Sequence, residues 1–322
     1  MFSEQLKKCF SSSLEVNSNF LKLSDSSTYL RQTQTNNVFS EKWSKYNQSD
    51  EKENLYQFQR EWYLKLYGFD SEDDLAKFLS SKKVILDAGC GLGYKAAWFA
   101  KLVPNSLVIG MDFSEAAREA SISYKHLSNL YFIQADIANT GLITGSIDFT
   151  NCDQVIMHTE SPEETFKELS RITCEDVGEF ACYFYAKKAL PRELLDDHFR
   201  IKCSQMSKDD LWQMSKDLTN LGKKLSDLNV KFDCPEVPAL GIKGGEIDIQ
   251  RFIYWNFMKC FWNEELGYDT SLATNFDWYS PSNARRFSEV EVQQLVHSNG
   301  MQMKYFHKED ACFSGRFIHR KT

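Results

Sequence analysis

A glycine-rich turn preceded by an acid is the part of the sequence best suited to chemistry. It lies in the run Val84-Ile-Leu-Asp87-Ala-Gly89-Cys90-Gly91-Leu-Gly93. Three glycines at alternate positions follow an apolar stretch, and glycine lets the backbone approach a ligand without a Cβ clash. Dinucleotide sites share this logic but space their glycines as Gly-x-Gly-x-x-Gly. The segment therefore predicts a ligand-binding turn between a strand and a helix.

Two further acids follow the next two apolar runs. Asp112 ends the run that starts at Ser106, 19 residues after Gly93, and Asp136 follows Leu130–Ala135. The carboxyl ends of parallel strands meet at one edge of a sheet, where ligands bind. There Asp112 can accept both hydroxyls of a ribose, and Asp136 can accept from the amine of an adenine. Phe113 and Ile137 can then sandwich the adenine ring.

S-adenosylmethionine (SAM) accounts for this set of residues. It has an ammonium at its amino-acid end, a ribose diol and an adenine, and it has no pyrophosphate that would require a helix N-terminus. We therefore expect SAM as the cofactor and no metal. The alternatives are a nicotinamide-type enzyme or a fold without cofactor, in which Gly91 only forms a turn and Asp136 only closes an Asx turn.

The order of these motifs resembles that of the class I SAM-dependent methyltransferase family. The runs are VILDAGCGLG, VIGMDFS, QADI and GSIDFTNCDQVIMHTESP, and the resemblance covers about residues 84–188. It implies cofactor contacts from the glycine turn, the two acids and their neighbours: Asp87, Gly89, Cys90, Gly91, Asp112, Phe113, Asp136, Ile137 and the backbone of Cys152. Asp87, Gly89 and Gly91 would line the methionine end.

His158 and Tyr279 are the candidate catalytic residues. Methyl transfer is an in-line displacement, so an enzyme mainly orients the reactants, although an oxygen or nitrogen acceptor can also need a base. Many family members read LHHTPDP where this chain reads IMHTESP, so Met157 replaces the first histidine and a two-histidine mechanism is not expected. In the alternative interpretation, His158 only bonds a loop. Tyr279 could contact a polar substrate or be structural.

Alternating strands and helices position these residues. The pattern predicts an α/β fold with a Rossmann-like, doubly wound, seven-stranded sheet, mostly parallel with the last strand antiparallel, and an inserted helical cap. We divide the chain into an N-terminal helical and polar arm, a SAM-binding core, a helical cap insertion and a C-terminal part of the core. Their ranges are 1–80, 81–188, 189–276 and 277–322.

The composition indicates the cellular compartment of the protein and limits the classes of partner that it is expected to bind. The 322 residues carry a formal net charge of −7 with no basic run, which argues against a nucleic-acid partner. The nine cysteines include no CxxC pair, as expected of reduced thiols in the cytoplasm. No apolar run approaches the ~18 residues of a membrane span, so no membrane association is expected. The polar N-terminal arm could mediate homodimer contacts.

These observations predict a SAM-dependent methyltransferase that acts on an oxygen or nitrogen of a small molecule, such as a sugar or a secondary metabolite. A large aromatic cap encloses a small substrate and excludes water. The alternative is an RNA- or protein-modifying methyltransferase that uses the cap as a docking surface. A non-catalytic binding module is a third hypothesis, although the glycine turn and both acids are intact.

Overall fold

The computed structural model describes residues 2–10, 16, 18–23, 30–46 and 52–321. The strands are β1 Phe20–Lys22, β2 Val84–Ala88, β3 Leu107–Asp112, β4 Leu130–Gln134, β5 Phe149–Cys152, β6 Glu179–Tyr185, β7 Lys231–Cys234, β8 Gly245–Asp248, β9 Met301–Lys308 and β10 Cys312–His319. The helices are α1 Phe2–Lys7, α2 Leu30–Tyr46, α3 Lys52–Tyr67, α4 Glu72–Ser80, α5 Tyr94–Leu102, α6 Ala116–Ser123, α7 Pro162–Ile172, α8 Leu190–Cys203, α9 Lys208–Asp227, α10 Ile249–Asn256, α11 Gly267–Tyr279 and α12 Glu289–Ser298.

One mixed sheet forms the centre of the fold, in the order β1-β4-β3-β2-β5-β6-β10-β9. The pairs from β1 through β6 are parallel, and β10 is antiparallel to both of its neighbours. The predicted doubly wound fold with an antiparallel last strand is confirmed. The predicted count of seven strands is wrong, because β1 adds an eighth strand at the edge beside β4.

The central strands form where apolar runs are long enough to be buried on both faces. Every residue of β2 is buried, as are the first five of β3. A parallel sheet needs helices on both faces, which explains why these strands are nearly continuous in apolar residues. Helix α5 places the small side chains of Ala96, Ala97 and Ala100 inside the core, so that it can lie close to the sheet.

The chain forms two compact units. The first contains residues 1–33, 59–186 and 285–322, and the second contains residues 34–58 and 187–284. Residues 1–80, which we predicted as a single arm, therefore contribute to both units. The second unit contains α8 to α11 and the antiparallel hairpin β7–β8.

Within the described residues, no helix combines the length and the apolar character that crossing a membrane requires.

Candidate active site

The glycine turn lies directly after β2, and its backbone is fixed against the end of β3. The N–H groups of Gly89 and Cys90 donate to the Met111 carbonyl at 2.7 and 3.0 Å. Gly89 has φ of +79°, and a Cβ at this position would overlap the side chain of Val155. Only glycine fits here, because the backbone needs the left-handed region and leaves no room for a side chain. The predicted turn between a strand and a helix is present.

Asp87 presents an acceptor that the protein leaves open. It is buried at the end of β2, and Asn151 Nδ2 donates to its Oδ1 at 2.7 Å. Its Oδ2 is buried and has no hydrogen-bond partner within the described part of the chain. Burial raises the pKa of Asp87 to about 6, although Lys95 and the bond from Asn151 lower it. A buried carboxylate oxygen without a partner is costly, so this atom points to a cationic or donor group of a ligand.

Asp112, at the end of β3, is oriented by three hydrogen bonds. Its Oδ2 accepts from the Gly91 N–H at 2.8 Å, and its Oδ1 accepts from the N–H and the hydroxyl of Ser114 at 2.8 and 2.6 Å. A carboxylate offers about four acceptor positions, so one position remains on Oδ2. The Ser114 hydroxyl thus helps to fix the orientation of this carboxylate.

Asp136 closes an Asx turn after β4, because its Oδ1 accepts from the Ala138 N–H at 2.8 Å. Burial raises its pKa. Ile137 is buried beside it, and Phe113 is half-buried after β3. Cys152 is fully buried at the end of β5. Each of these predicted cofactor residues therefore lies at or just after the carboxyl end of a strand, and β3, β2 and β5 are adjacent in the sheet.

A buried polar network behind the turn was not predicted from the sequence. Lys95, the second residue of α5, forms an ion pair with Asp153, which also accepts from the Tyr67 hydroxyl at 2.8 Å. The Tyr63 hydroxyl donates to Asn151 at 2.9 Å. Burial alone would lower the pKa of Lys95, but Asp153 raises it well above its ordinary value. The signal in the sequence was a lysine in the first turn of a mainly apolar helix, whose second lysine, Lys101, lies in the last turn.

These residues fit the groups of SAM. The open oxygen of Asp87 suits the ammonium, the remaining acceptor position of Asp112 suits a ribose hydroxyl, and the turn without side chains leaves space for a ligand backbone. Asp136 has no hydrogen bond to its Oδ2 among the described residues and could accept from the adenine amine.

His158 lies on a short 3-10 helix, Ile156–His158, that follows the loop after β5. It is 7% exposed, and its ring meets that of Tyr185, at the end of β6, edge to face at 5.5 Å between centroids. The structure thus brings His158 to the same edge of the sheet as the cofactor residues. Its catalytic role stays a prediction.

Tyr279, the second catalytic candidate, lies at the end of α11 in the second unit. Its hydroxyl donates to Asp196 at 2.9 Å and accepts from the Lys259 N–H at 2.9 Å. Burial raises its pKa further above the ordinary range. The hydroxyl proton is therefore committed to Asp196 within the second unit, and a catalytic role for Tyr279 also stays a prediction.

Comparison with known proteins finds methyltransferases, in agreement with the SAM site described above. Residues 79–232 match a family model described as a methyltransferase domain. Similar curated proteins include an uncharacterized methyltransferase of Schizosaccharomyces pombe, 28% identical over 39% of this chain and 51% of its own length. Another is a malonyl-[acyl-carrier protein] O-methyltransferase of Legionella pneumophila, 29% identical over 42% of this chain and 46% of its own length. The chain spans about half the length of these relatives.

Solved structures with a similar fold include the magnesium protoporphyrin IX methyltransferase of Synechocystis PCC 6803 with bound SAH. It is 13% identical, covers 90% of this chain and 100% of its own, and has a TM-score of 0.45. The family match at residues 79–232 includes the glycine turn and both acids. The chain therefore carries a methyltransferase domain.

Proposed function

We propose that the protein transfers a methyl group from SAM to an oxygen or nitrogen of a small-molecule acceptor. The observation that carries the proposal is the pair of acids at the ends of two adjacent strands. Asp87 leaves a buried oxygen open, and Asp112 is oriented by the glycine turn itself. The relative from Legionella is an O-methyltransferase by name, which supports oxygen as the first acceptor atom to test.

Bound SAM supplies an electrophilic methyl group on a sulfonium. The chain's own residues then have to hold the cofactor and orient the acceptor, which accounts for most of the acceleration of an in-line displacement. Asp87 is assigned to the ammonium, and the turn from Gly89 to Gly91 passes the methionine part. We assign His158 to the acceptor side, where it can remove or hold a proton of the attacking group.

We assign acceptor specificity to the second unit, in accordance with the predicted cap. Its helices α8 to α11 interrupt the methyltransferase core along the chain, and they carry many aromatic residues. We also propose a cytoplasmic enzyme. All nine cysteines are free, and eight of them are buried, as expected of thiols that stay reduced. Homodimer formation stays a prediction.

Calorimetric titration with SAM and its demethylated product tests cofactor binding. Wild type is compared with Asp112→Asn, which removes the charge but keeps the shape, and with Glu119→Ala, which removes an exposed carboxylate on the neighbouring helix α6. We expect about tenfold or greater loss of affinity in D112N, since a charged hydrogen bond contributes about 1.5–3 kcal/mol, and none in E119A. Equal binding by all three proteins would contradict the assigned site.

A methylation screen tests the acceptor. Full-length protein is incubated with SAM carrying a labelled methyl group and with panels of sugars, phenols, carboxylic acids and amines. Transfer to a small molecule supports the proposal. Transfer only to RNA or to protein, with SAM binding intact, would contradict the acceptor class and leave the methyltransferase assignment in place.

A further inference from the structure

The second unit buries a lysine whose ammonium forms no hydrogen bond or ion pair with the described part of the chain. Lys259 follows α10 in the aromatic run from Phe257 to Trp262 and is 5% exposed. Its backbone N–H donates to Tyr279, and its Nζ lies 4.3 Å from the centroid of the Trp278 ring. Nζ makes no hydrogen bond and no ion pair with the residues that the structure describes. Three donor positions of the ammonium thus remain open.

The nearby carboxylates are already paired with other cations. Asp277 pairs with Lys42 at 2.5 Å. Asp196 pairs with the Nε of Arg192 at 2.7 Å and also accepts from the Trp278 indole N–H and the Tyr279 hydroxyl. A protonated Lys259 therefore adds a positive charge that no free anion within the described residues balances.

Burial lowers the pKa of Lys259 to about 7. Of the charged groups around it, Asp277 and Asp196 raise the pKa, and Arg192 and Lys188 lower it. Tyr279, whose hydroxyl accepts from the Lys259 N–H, and Cys260, the next residue in the chain, are further titratable groups beside it. A buried, unbalanced cation is unfavourable, and a methionine of similar size would not incur this penalty. A lysine at this position is therefore better explained by a ligand than by packing.

We propose that Lys259 binds an anionic oxygen group of a small molecule, a carboxylate or a phosphate, against the face of Trp278. This inference goes beyond the proposed function, because it assigns an anion-binding site within the second unit. The anion accepts hydrogen bonds from the ammonium. Charge-assisted hydrogen bonds of this kind are about twice as strong as neutral ones. The indole face holds the cation from the other side.

Proton uptake is the expected signature of this site. Without an anion, Lys259 is mostly neutral above pH 7. A bound anion favours the charged form, so binding at pH 8 draws a proton from solution. An arginine at the same position stays charged throughout and would bind the anion without taking up a proton.

The test observes the Lys259 side chain directly. Full-length protein with isotope-labelled lysine is titrated by NMR with sodium phosphate, sodium acetate and, at matched ionic strength, sodium chloride. The variants are Lys259→Met, which keeps the apolar stem, Lys259→Arg, and Lys216→Met as a matched control on an exposed position of α9. Proton uptake is measured by calorimetry of the same titrations in buffers of different ionisation enthalpy, and SAM binding is measured on each preparation.

We expect a saturable shift of the Lys259 signal with phosphate or acetate but not with chloride, and proton uptake in wild type and K216M. K259M should bind the anion about tenfold or more weakly, which is the loss of about 1.4 kcal/mol, and K259R should bind it without proton uptake. A response to phosphate alone assigns a phosphoryl group, and a response to acetate alone assigns a carboxylate. No saturable shift, or equal anion binding in K259M, overturns the inference. SAM binding retained beside that result leaves the proposed function standing, whereas its loss in wild type overturns the proposed function.

Discussion

Ionisation of a single residue, Asp87, sets the lower pH limit that we expect for SAM binding. Burial raises its pKa to about 6, so the carboxyl is charged at pH 7 and becomes protonated below about 6. A protonated carboxyl no longer pairs with the ammonium of the cofactor. The affinity for SAM should therefore fall by about tenfold for each pH unit below 6. Calorimetry from pH 7 to pH 5 measures this slope.

Asp87→Asn provides the control for that slope. The amide keeps the volume and can still pair with Asn151, but it has no charge to lose. We expect weaker SAM binding at pH 7 and a flat profile down to pH 5. If the variant shows the same slope as wild type, another group titrates, and the assignment of Asp87 to the ammonium is wrong.

The proposed role of His158 as a base for the methyl acceptor can be tested by substitution. If it removes a proton from the acceptor, His158→Gln should lower kcat by about 10²–10⁴-fold. SAM affinity should stay unchanged, because the hydrogen bonds that orient Asp87 and Asp112 come from other residues. The measurement is kcat across pH with an acceptor found in the screen, with the exposed His126→Gln as control. A uniform small decrease without a change in the pH profile would indicate that His158 only packs against Tyr185.

At the level of elements, the turn between β2 and α5 depends on the absence of a side chain at Gly89. Gly89→Ala must place a Cβ against Val155 as well as adopt φ of +79°. Gly300→Ala is a matched control, because Gly300 has φ of +72° but open space around it. We expect G300A to lose about 1–2 kcal/mol from φ alone, and G89A to lose more and to bind SAM poorly.

The double variant Gly89→Ala with Val155→Ala separates the two causes. Removing the valine methyl groups creates space for the new Cβ, so part of the lost stability should return. Urea denaturation measures the free energy of unfolding of each protein. If the double variant is as unstable as the sum of the single ones, the clash with Val155 is not the cause of the loss.

Elements were predictable from the sequence where burial leaves a periodic or continuous apolar pattern. The apolar runs predicted the strands β2 and β3. The topology of a parallel sheet then predicted that the acids at their ends lie at the ligand-binding edge. Strand β1 was missed because Phe20–Lys22 is only three residues long and lies in a polar segment. Its pairing with β4 is a tertiary event that no local pattern encodes.

The sequence predicted the glycine turn and the acids of the site, but it did not predict the buried polar network behind the turn. Lys95 and Asp153 are 58 positions apart and meet only because α5 packs against the sheet. Lys259 gave a weaker signal in the sequence, a single cation in an aromatic run. Whether its ammonium is left without an ion pair depends on which cations the nearby carboxylates bind. Such pairings depend on three-dimensional distances, so only the folded chain reveals them.

At the scale of the whole molecule, Lys259 links stability to pH in a direction that the net charge does not predict. Its pKa is about 7 in the fold and 10.5 in a freely exposed lysine. Between these values the unfolded chain binds more protons at this position, so stability rises with pH from about 7 to about 10.5. Below pH 7 the full penalty of the buried charge applies. Lys259→Met removes the penalty, so the variant should unfold at a higher temperature than wild type at pH 6, with a smaller difference at pH 9.

Thermal denaturation at pH 6 and pH 9 measures this difference, with Lys216→Met as the exposed control that should match wild type at both values. Sodium phosphate at pH 6 should raise the unfolding temperature of wild type and leave K259M unchanged, because a ligand that binds only the folded state stabilises it. If K259M unfolds at a lower temperature than wild type at pH 6, the ammonium contributes to folding through contacts of its own. Lys259 would then be part of the packing of the second unit, and the anion would have no reason to bind there.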